Sequence, residues 1–572
     1  MSKSLSQLLE AASAWLLKDP DPETAEELRR MIQDQDVEAL QIAFGERLQF
    51  GTAGLRGRIG PGPSQMNRVL VRQVAAGLGN YVADLGLPRR ALIGFDGRKN
   101  SRVFAEDSAC VLASMGFEVF LYDEVVATPV LSHGVVALGV QVGVMVTASH
   151  NPPEDNGYKV YWSNGAQIIP PHDAGISSCI EHIDEVSVGE IQSHRAAGRV
   201  REVPPEFLER YYAEVADLRV QPCAGAKVAY SAMHGVGGRF VKEVLQRAGH
   251  TAFSVVEEQW EPDGRFPTVR FPNPEEPGAM DLLLALARQV EADVALANDP
   301  DADRLAVAVR CPDGDYHMLS GNELGLILAE TLLSNGRFSG PTMVATTIVS
   351  STMLQKIGQR HGAIYAETLT GFKWIANRAI AHGAAGGDFV IGFEEALGYS
   401  VGPVVRDKDG VSAILIVADL ASSLKARGLT LLDELESIYR RYGLHLAEQV
   451  ALKLPGEAGL RQIAAMMEGL RLHPPQAVAG CPVVSTVDLQ SGVRVASGRE
   501  EAVDFPPSNV LGFYLEDGSR ILARPSGTEP KIKFYFEVVR AVGEDESVDD
   551  ARVAAQSILG GLKSEFLGLV GQ

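Results

Sequence analysis

The sequence predicts an α/β protein of four domains, three α/β domains in series followed by a small α+β domain. Three observations carry this expectation. The chain has 572 residues, enough at roughly 150 residues per domain for about three or four of them. A strand, turn, helix, glycine, strand pattern occurs three times. The region after about residue 450 abandons that pattern for alternating strands and one terminal helix.

In chain order, the first 45 residues read as a helical extension. The first repeat runs from Ala91 (ALIGF) through a helix to Gly116 and FEVFLY, and the second from Lys227 (KVAYSAM) to Gly249 and AFSVV. The third runs from Met343 (MVATTIV) to Gly362 and AIYAE. Each glycine stands where a helix C-terminus needs left-handed geometry, and the element order favours right-handed βαβ units with parallel pairing. Strands at 493–497, 510–515 and 532–539 and a helix at 548–566 make the last domain. Junctions fall in VPPEF, SGNE and KLPGE, giving domains 1–205, 206–320, 321–450 and 451–572.

An apolar content of 46% excludes a disordered chain. With 52 basic and 73 acidic residues the net charge is −21, which repels nucleic acid, so an anionic substrate needs a local basic cluster. Five scattered cysteines (Cys110, Cys179, Cys223, Cys311, Cys481) form no C-x-x-C pair and no disulfide framework, pointing to a reducing cytoplasm. The start is acidic (Glu10, Asp19, Asp21, Glu23) and unlike a signal peptide. The apolar stretch 134–148 is shorter than the roughly 20 residues a membrane span needs. No membrane partner is expected.

Thr147-Ala148-Ser149-His150-Asn151-Pro152-Pro153 follows the apolar strand Val142–Val146. Prolines and a glycine nearby would present the serine hydroxyl rigidly instead of burying it, the alternative being an ordinary turn residue. There is no G-x-S-x-G elbow, and an adjacent His150 makes no triad, so acyl transfer has little support.

Asn298-Asp299-Pro300-Asp301-Ala302-Asp303-Arg304 follows another apolar strand. If extended, it puts three carboxylates on one face. Two unit charges about 5 Å apart repel by about 3 kcal/mol at an effective dielectric near 20, so the trio favours a cation. An EF-hand is excluded, because Arg304 and Arg310 occupy its glycine and glutamate positions. All-oxygen ligands and a transferring phosphate select Mg²⁺; the alternative is a solvated acidic turn.

Arg524-Pro525-Ser526-Gly527-Thr528-Glu529-Pro530, followed by Lys531 and Lys533, offers guanidinium, hydroxyl and amide donors suited to a phosphate, or else forms a plain β-turn. Thr370-Gly371-Phe372-Lys373 and Gly392-Phe393-Glu394-Glu395-Ala396-Leu397-Gly398-Tyr399 each follow a strand of βα type. Glu394 and Glu395 could accept hydrogen bonds from sugar hydroxyls or favour a helix N-terminus. Gly51 to Gly57 is too glycine-rich for a helix and carries Arg56, which could face an anion, the alternative being a simple loop. His234-Gly235-Val236-Gly237-Gly238 resembles a dinucleotide fingerprint, but Phe240 replaces its third glycine, which favours a packing turn.

Taken together, TASHNP, DPDADR, GFEEALGY and RPSGTEPK, in that order, resemble the α-D-phosphohexomutase superfamily of phosphoglucomutases and phosphomannomutases, from about residue 45 onward. The resemblance implies four domains around a central cleft, three related α/β domains with mixed sheets plus a C-terminal α+β domain. It implies that Ser149 is phosphorylated and that Asp299, Asp301 and Asp303 hold Mg²⁺ together with the Ser149 phosphoryl group. Arg56, His150, Lys159 and Arg304 match positions near the transferred phosphate, with Lys159 or His150 as proton shuttle. Thr370, Gly371, Lys373, Glu394 and Glu395 would contact the sugar, and Arg524, Ser526, Gly527 and Thr528 its distal phosphate.

The implied activity is interconversion of glucose 1-phosphate and glucose 6-phosphate, with mannose phosphates as further substrates. It passes through a bisphosphorylated sugar, with glucose 1,6-bisphosphate as activator, in a cytoplasmic monomer or weak homodimer. Ala396 and Tyr399 stand where many members carry serine or histidine, as in the phosphoglucomutase-2-type branch, some of whose members prefer pentose phosphates. Phosphopentomutase and hexose 1,6-bisphosphate synthase are therefore the alternatives, with a phosphatase or a non-catalytic sugar-phosphate binder as the remaining rivals.

Overall fold

The computed structural model describes residues 3–51, 54–184, 186–526 and 530–571. Two compact units divide the chain. The first comprises Met1–Ser320, Phe372–Ile391 and Leu397–Thr430, and the second Gly321–Gly371, Gly392–Ala396 and Leu431–Gln572.

The first unit opens with the expected helical extension. Ser4, Asp21 and Asp36 cap helices Leu5–Leu16, Pro22–Gln33 and Val37–Phe44, each side chain accepting from an orphan backbone N–H. The three bury Leu8, Leu28, Leu40 and Phe44 against one another, with Trp15 edge-on to Phe44.

A six-stranded sheet follows, in the order Gly54–Arg58, Asp155–Trp162, Val142–Val146, Arg90–Phe95, Glu118–Leu121, Val200–Glu202. Arg90–Phe95 pairs in parallel with Glu118–Leu121 and Val142–Val146, whereas Asp155–Trp162 pairs antiparallel with both its neighbours. The sheet is therefore mixed. Every residue of Val142–Val146 is buried, as a central strand covered on both faces requires. Gly54–Arg58 is an edge strand where the sequence suggested a loop.

The second sheet runs Tyr316–Leu319, Ala306–Arg310, Val294–Ala297, Val228–Ser231, Phe253–Val255. Val228–Ser231 is parallel to Phe253–Val255 and Val294–Ala297, and the strands beyond are antiparallel. This unit also holds helix Phe372–Ala384, strand Gly398–Val401 and helix Gly410–Ala426.

In the second unit, Thr342–Thr347 pairs in parallel with Ile364–Thr368 across helix Met353–Arg360, completing the third repeat. Gly116, Gly249 and Gly362 have φ of 85°, 88° and 69°, the left-handed geometry expected at each helix end.

The C-terminal sheet runs Leu444–Lys453, Lys531–Arg540, Arg520–Pro525, Leu511–Leu515, Cys481–Asp488, Val493–Ala496, Arg499–Ala502. Helices Gly456–Leu472 and Val548–Leu569 accompany it, and Phe566 of the latter packs on Phe513, Phe534 and Phe536. Leu444–Lys453 straddles the expected junction at 450 and pairs along its whole length with Lys531–Arg540, so the C-terminal domain includes residues 444–450. Arg499–Ala502 was invisible in the sequence because all four residues are exposed and no apolar alternation marks an outlying strand.

The three related α/β domains with mixed sheets and the α+β ending are as the sequence predicted. Among the described residues, no helix is long and apolar enough to cross a membrane.

Candidate active site

Ser149 follows the last residue of strand Val142–Val146 by three positions and adopts φ of 53°, a left-handed conformation uncommon for serine. Its backbone N–H donates to Thr147 Oγ1 at 2.8 Å. Beneath the loop lies Arg98, itself buried, whose guanidinium donates to the carbonyls of Ser149 (2.6 Å), Asn151 (2.5 Å), Pro152 (2.7 Å) and Asp155 (3.1 Å). One side chain thus spans the whole loop, which gives it the rigidity expected from the prolines. The exposure expected for the hydroxyl is not found. Ser149 is 3% exposed, because the aspartate loop lies against it and Asp299 Oδ2 accepts from Ser149 Oγ at 2.8 Å.

The aspartates converge, though not by the extended alternation inferred from the sequence. Asp299 to Ala302 forms a tight turn in which Ala302 N–H donates to Asp299 C=O and Ala302 takes φ of 59°. Ligand oxygens of Asp299, Asp301 and Asp303 lie within 4.8 Å of one another, all three residues being buried.

The glycine-rich segment before helix Gly237–Arg247 holds this turn from behind. Val236 N–H donates to Pro300 C=O at 2.8 Å, and a Cβ on Gly235 would stand 2.4 Å from Pro300 Cα. The dinucleotide-like fingerprint is therefore a packing turn.

Cationic groups face the carboxylates. Lys159 Nζ lies 2.7 Å from Asp301 Oδ2 and 2.9 Å from Asp303 Oδ2, and Lys408 Nζ 3.1 Å from Asp303 Oδ2. Thr128 Oγ1 donates to Asp301 Oδ2 at 2.6 Å. Burial opposes the Lys159 charge, but Asp301, Asp303 and Asp407 together hold its pKa above the ordinary lysine value. Burial would raise Asp301 and Asp303 too, yet Lys159 and the hydrogen bonds of Thr128 and Asp299 hold Asp301 below the usual aspartate range, and Lys159, Lys408 and Arg304 do the same for Asp303 against burial and Asp301. Asp299 goes the other way, pushed well up by burial and then by Asp303 and Asp301.

Two buried oxygens, Asp301 Oδ1 and Asp303 Oδ1, accept no hydrogen bond. Three convergent carboxylates, one insufficiently neutralised and two with an unused oxygen, fit a hard divalent cation.

Around this centre, His150 Nδ1 lies 3.1 Å from Ser149 Oγ. Burial, then the charges of Arg304 and Arg56, hold the His150 pKa well below its usual value, so the ring is neutral. Arg56 Nη1 donates to Asn151 Oδ1 at 2.9 Å, and Arg304 Nη1 is 3.4 Å from Glu275. Ser149, His150, Lys159, Arg56, Arg304 and the three aspartates are thus gathered in the first unit. Lys373 also belongs to that unit. It is buried, and burial, opposed by Asp173, lowers its pKa to about 8.

Glu394 to Leu397 is a reverse turn between strands Asp388–Glu394 and Gly398–Val401, not a strand-to-helix turn, and Glu394 and Glu395 belong to the second unit. Glu394 Oε1 accepts from Gly371 N–H at 2.8 Å, which joins the segment of Thr370 and Gly371 to the glutamates. Glu395 Oε2 accepts from Ser350 Oγ at 3.0 Å. Tyr535 feels both loops. Burial first, then Glu395, raise its pKa to about 12 against the opposing pull and hydrogen bond of Arg524. Arg524 is the penultimate residue of strand Arg520–Pro525, and Ser526 N–H donates to Lys531 C=O at 2.7 Å. Gly527 and Thr528 lie outside the described residues.

Sequence reasoning missed Arg98, Thr128 and Lys408. The signal for the last was Arg406-Asp407-Lys408-Asp409-Gly410 before an apolar helix: Asp409 caps Gly410–Ala426, and Lys408 is the residue before that cap.

Family models of phosphoglucomutase/phosphomannomutase match four stretches: α/β/α domain I over 47–187, II over 205–314, III over 320–442, and the C-terminal domain over 481–554. A probable phosphomannomutase of Haemophilus influenzae is 41% identical over 495 residues, covering 86% of this chain and 96% of that protein. Human phosphopentomutase is 36% identical over 575 residues, covering 95% and 93%. A putative phosphomannomutase structure from Thermus thermophilus superposes with a TM-score of 0.68 at 22% identity, covering 92% of this chain and all of that one, which shows a shared fold. With four domains matched in order, the chain belongs to the phosphoglucomutase/phosphomannomutase family of the α-D-phosphohexomutase superfamily, whose members are phosphotransferase isomerases.

Proposed function

We propose that this enzyme interconverts glucose 1-phosphate and glucose 6-phosphate, and mannose phosphates, through a phosphoserine at Ser149 and a bisphosphorylated sugar. The observation that carries the reading is the 2.8 Å hydrogen bond from Ser149 Oγ to Asp299, a member of the carboxylate trio.

In the forward half-reaction a sugar hydroxyl oxygen bonds to phosphorus, the bond from phosphorus to Ser149 Oγ breaks, and the hydroxyl proton passes to a base. The second half-reaction reverses this with the other phosphate. Neutral His150, 3.1 Å from Ser149 Oγ, is placed to exchange the serine proton. Lys159, held charged, is placed to offset negative charge on the transferring group. Mg²⁺ on Asp299, Asp301 and Asp303 would neutralise charge on the transferring oxygens.

Glu394 and Glu395 offer acceptors to the sugar, while Arg524 and Ser526 offer donors to its distal phosphate. Glucose 1,6-bisphosphate serves as activator. Five free cysteines suit a cytoplasmic enzyme, which we take to be a monomer or weak homodimer.

A second reading, phosphopentomutase, is favoured by 36% identity to the human phosphopentomutase across nearly both chains and by Ala396 and Tyr399 in the sugar loop. Coupled assays with glucose 1-phosphate, mannose 1-phosphate and ribose 1-phosphate, Mg²⁺ and catalytic glucose 1,6-bisphosphate separate the two. Faster turnover of the hexoses supports the first reading, and a preference for ribose 1-phosphate replaces it with the second. Loss of turnover in Ser149→Ala is expected under both.

A further inference from the structure

The three repeats share more than their element order. In each, the turn after the first strand reaches across to the loop that carries chemistry later in the same domain. In the first repeat, Arg98, three residues beyond strand Arg90–Phe95, donates to four carbonyls of the Ser149 loop. In the second, Val236 after strand Val228–Ser231 donates to Pro300 between the metal-site aspartates. In the third, Ser350 after strand Thr342–Thr347 holds Glu395.

The third contact uses the whole valence of one hydroxyl. A serine hydroxyl has one donor and two acceptor positions. Glu395 N–H donates to Ser350 Oγ at 3.1 Å, Ser350 Oγ stands 2.8 Å from Thr347 Oγ1, and it lies 3.0 Å from Glu395 Oε2. The shorter contacts assign Ser350 as accepting from the Glu395 amide and the Thr347 hydroxyl while donating to the carboxylate, with Thr347 Oγ1 a longer 3.5 Å from the same Oε2. Glu395 is thereby fixed at both backbone and carboxylate, and Oε1 makes no hydrogen bond with a described residue.

Ser350 is itself pinned. It is 1% exposed, and its carbonyl accepts from Arg520 Nη2. Arg520, also buried, donates to Glu537 at 2.8 Å and to Glu367 at 3.3 Å. Four residues along strand Arg520–Pro525 stands Arg524, so one buried guanidinium ties the base of the distal-phosphate strand to the support of the sugar loop.

We propose that the first strand-to-helix turn of each repeat is the positioning element for the functional loop of its own domain, and that Ser350 performs this for the sugar loop through Glu395. The Ser350 part rests on the reading of Glu395 as a sugar contact.

The test is a double-mutant cycle of Ser350→Ala and Glu395→Gln, assayed with glucose 1-phosphate, mannose 1-phosphate and ribose 1-phosphate. Phosphorylation of Ser149 is followed by intact mass. Losing a hydrogen bond to a charged group, Ser350→Ala is expected to raise KM about tenfold, with kcat less affected and Ser149 phosphorylation unchanged. Ser350→Thr, which keeps the hydroxyl, restores KM. The double variant is no worse than Glu395→Gln alone. A Ser350→Ala enzyme with unchanged KM, or an effect that adds fully to that of Glu395→Gln, overturns the positioning role. If Glu395→Gln leaves KM unchanged for every sugar, it is the sugar-contact reading of Glu395 that fails.

Discussion

Ser149 Oγ and Asp299 Oδ2 stand 2.8 Å apart although the residues are 150 positions apart in the chain and belong to different repeats. The candidate phosphoserine and the candidate metal site are thus assembled by packing one α/β domain against the next within one compact unit. Each partner brings its own support, Arg98 under the serine loop and Val236 behind the aspartate turn.

If the carboxylate trio takes a divalent cation, chelation abolishes turnover and Mg²⁺ restores it. Mg²⁺ at a hundredfold excess over its Kd stabilises the folded state by about 2.7 kcal/mol, read as a rise in thermal midpoint. Asp301→Asn is expected to lose that rise. A variant still stabilised by Mg²⁺ to the full extent would place the ion elsewhere.

Arg98→Met removes the charge that faces Asp96 at 3.5 Å and leaves four loop carbonyls without their donor. Stranding a buried charge costs about 3–5 kcal/mol, which denaturant unfolding should reveal. The folded fraction should show kcat reduced more than KM, because the serine loop is no longer held. A loss below about 1 kcal/mol, the level of an exposed pair, would show that the clamp is dispensable.

Lys373 supplies a pH dependence. Burial, opposed by Asp173, lowers its pKa to about 8, so the charged form dominates below that pH and the neutral form above it. If Lys373 contacts the anionic sugar phosphate as the resemblance implies, its charged form binds better, so KM should rise as pH passes upward through about 8, and Lys373→Met should remove that rise. For stability the sign is opposite: the folded state disfavours the proton, so a penalty present below about pH 8 is relieved as pH rises toward the unfolded lysine value. A KM that stays flat across this range in the unaltered enzyme would contradict the role.

Much of this fold was legible in the sequence because its signals are local. Capping glycines at 116, 249 and 362 and a fully apolar Val142–Val146 announce βαβ units without any tertiary information. Asp299, Asp301 and Asp303 were legible by spacing, although their convergence comes from a turn through Ala302. What was not legible is set by distant packing. The burial of Ser149 depends on Asp299, and the position of Lys408 on Asp303. Arg98 and Ser350 carry no motif chemistry of their own; their roles lie in which backbone and carboxylate atoms they meet.

The most direct test of the account is phosphopeptide mapping after incubation with glucose 1,6-bisphosphate and Mg²⁺, followed by a chase with glucose 6-phosphate. The account predicts one phosphoryl group on Ser149, discharged onto the sugar in the chase and absent from Ser149→Ala. A phosphoryl group on another residue, or turnover of a sugar phosphate by Ser149→Ala at the unaltered rate, would contradict it.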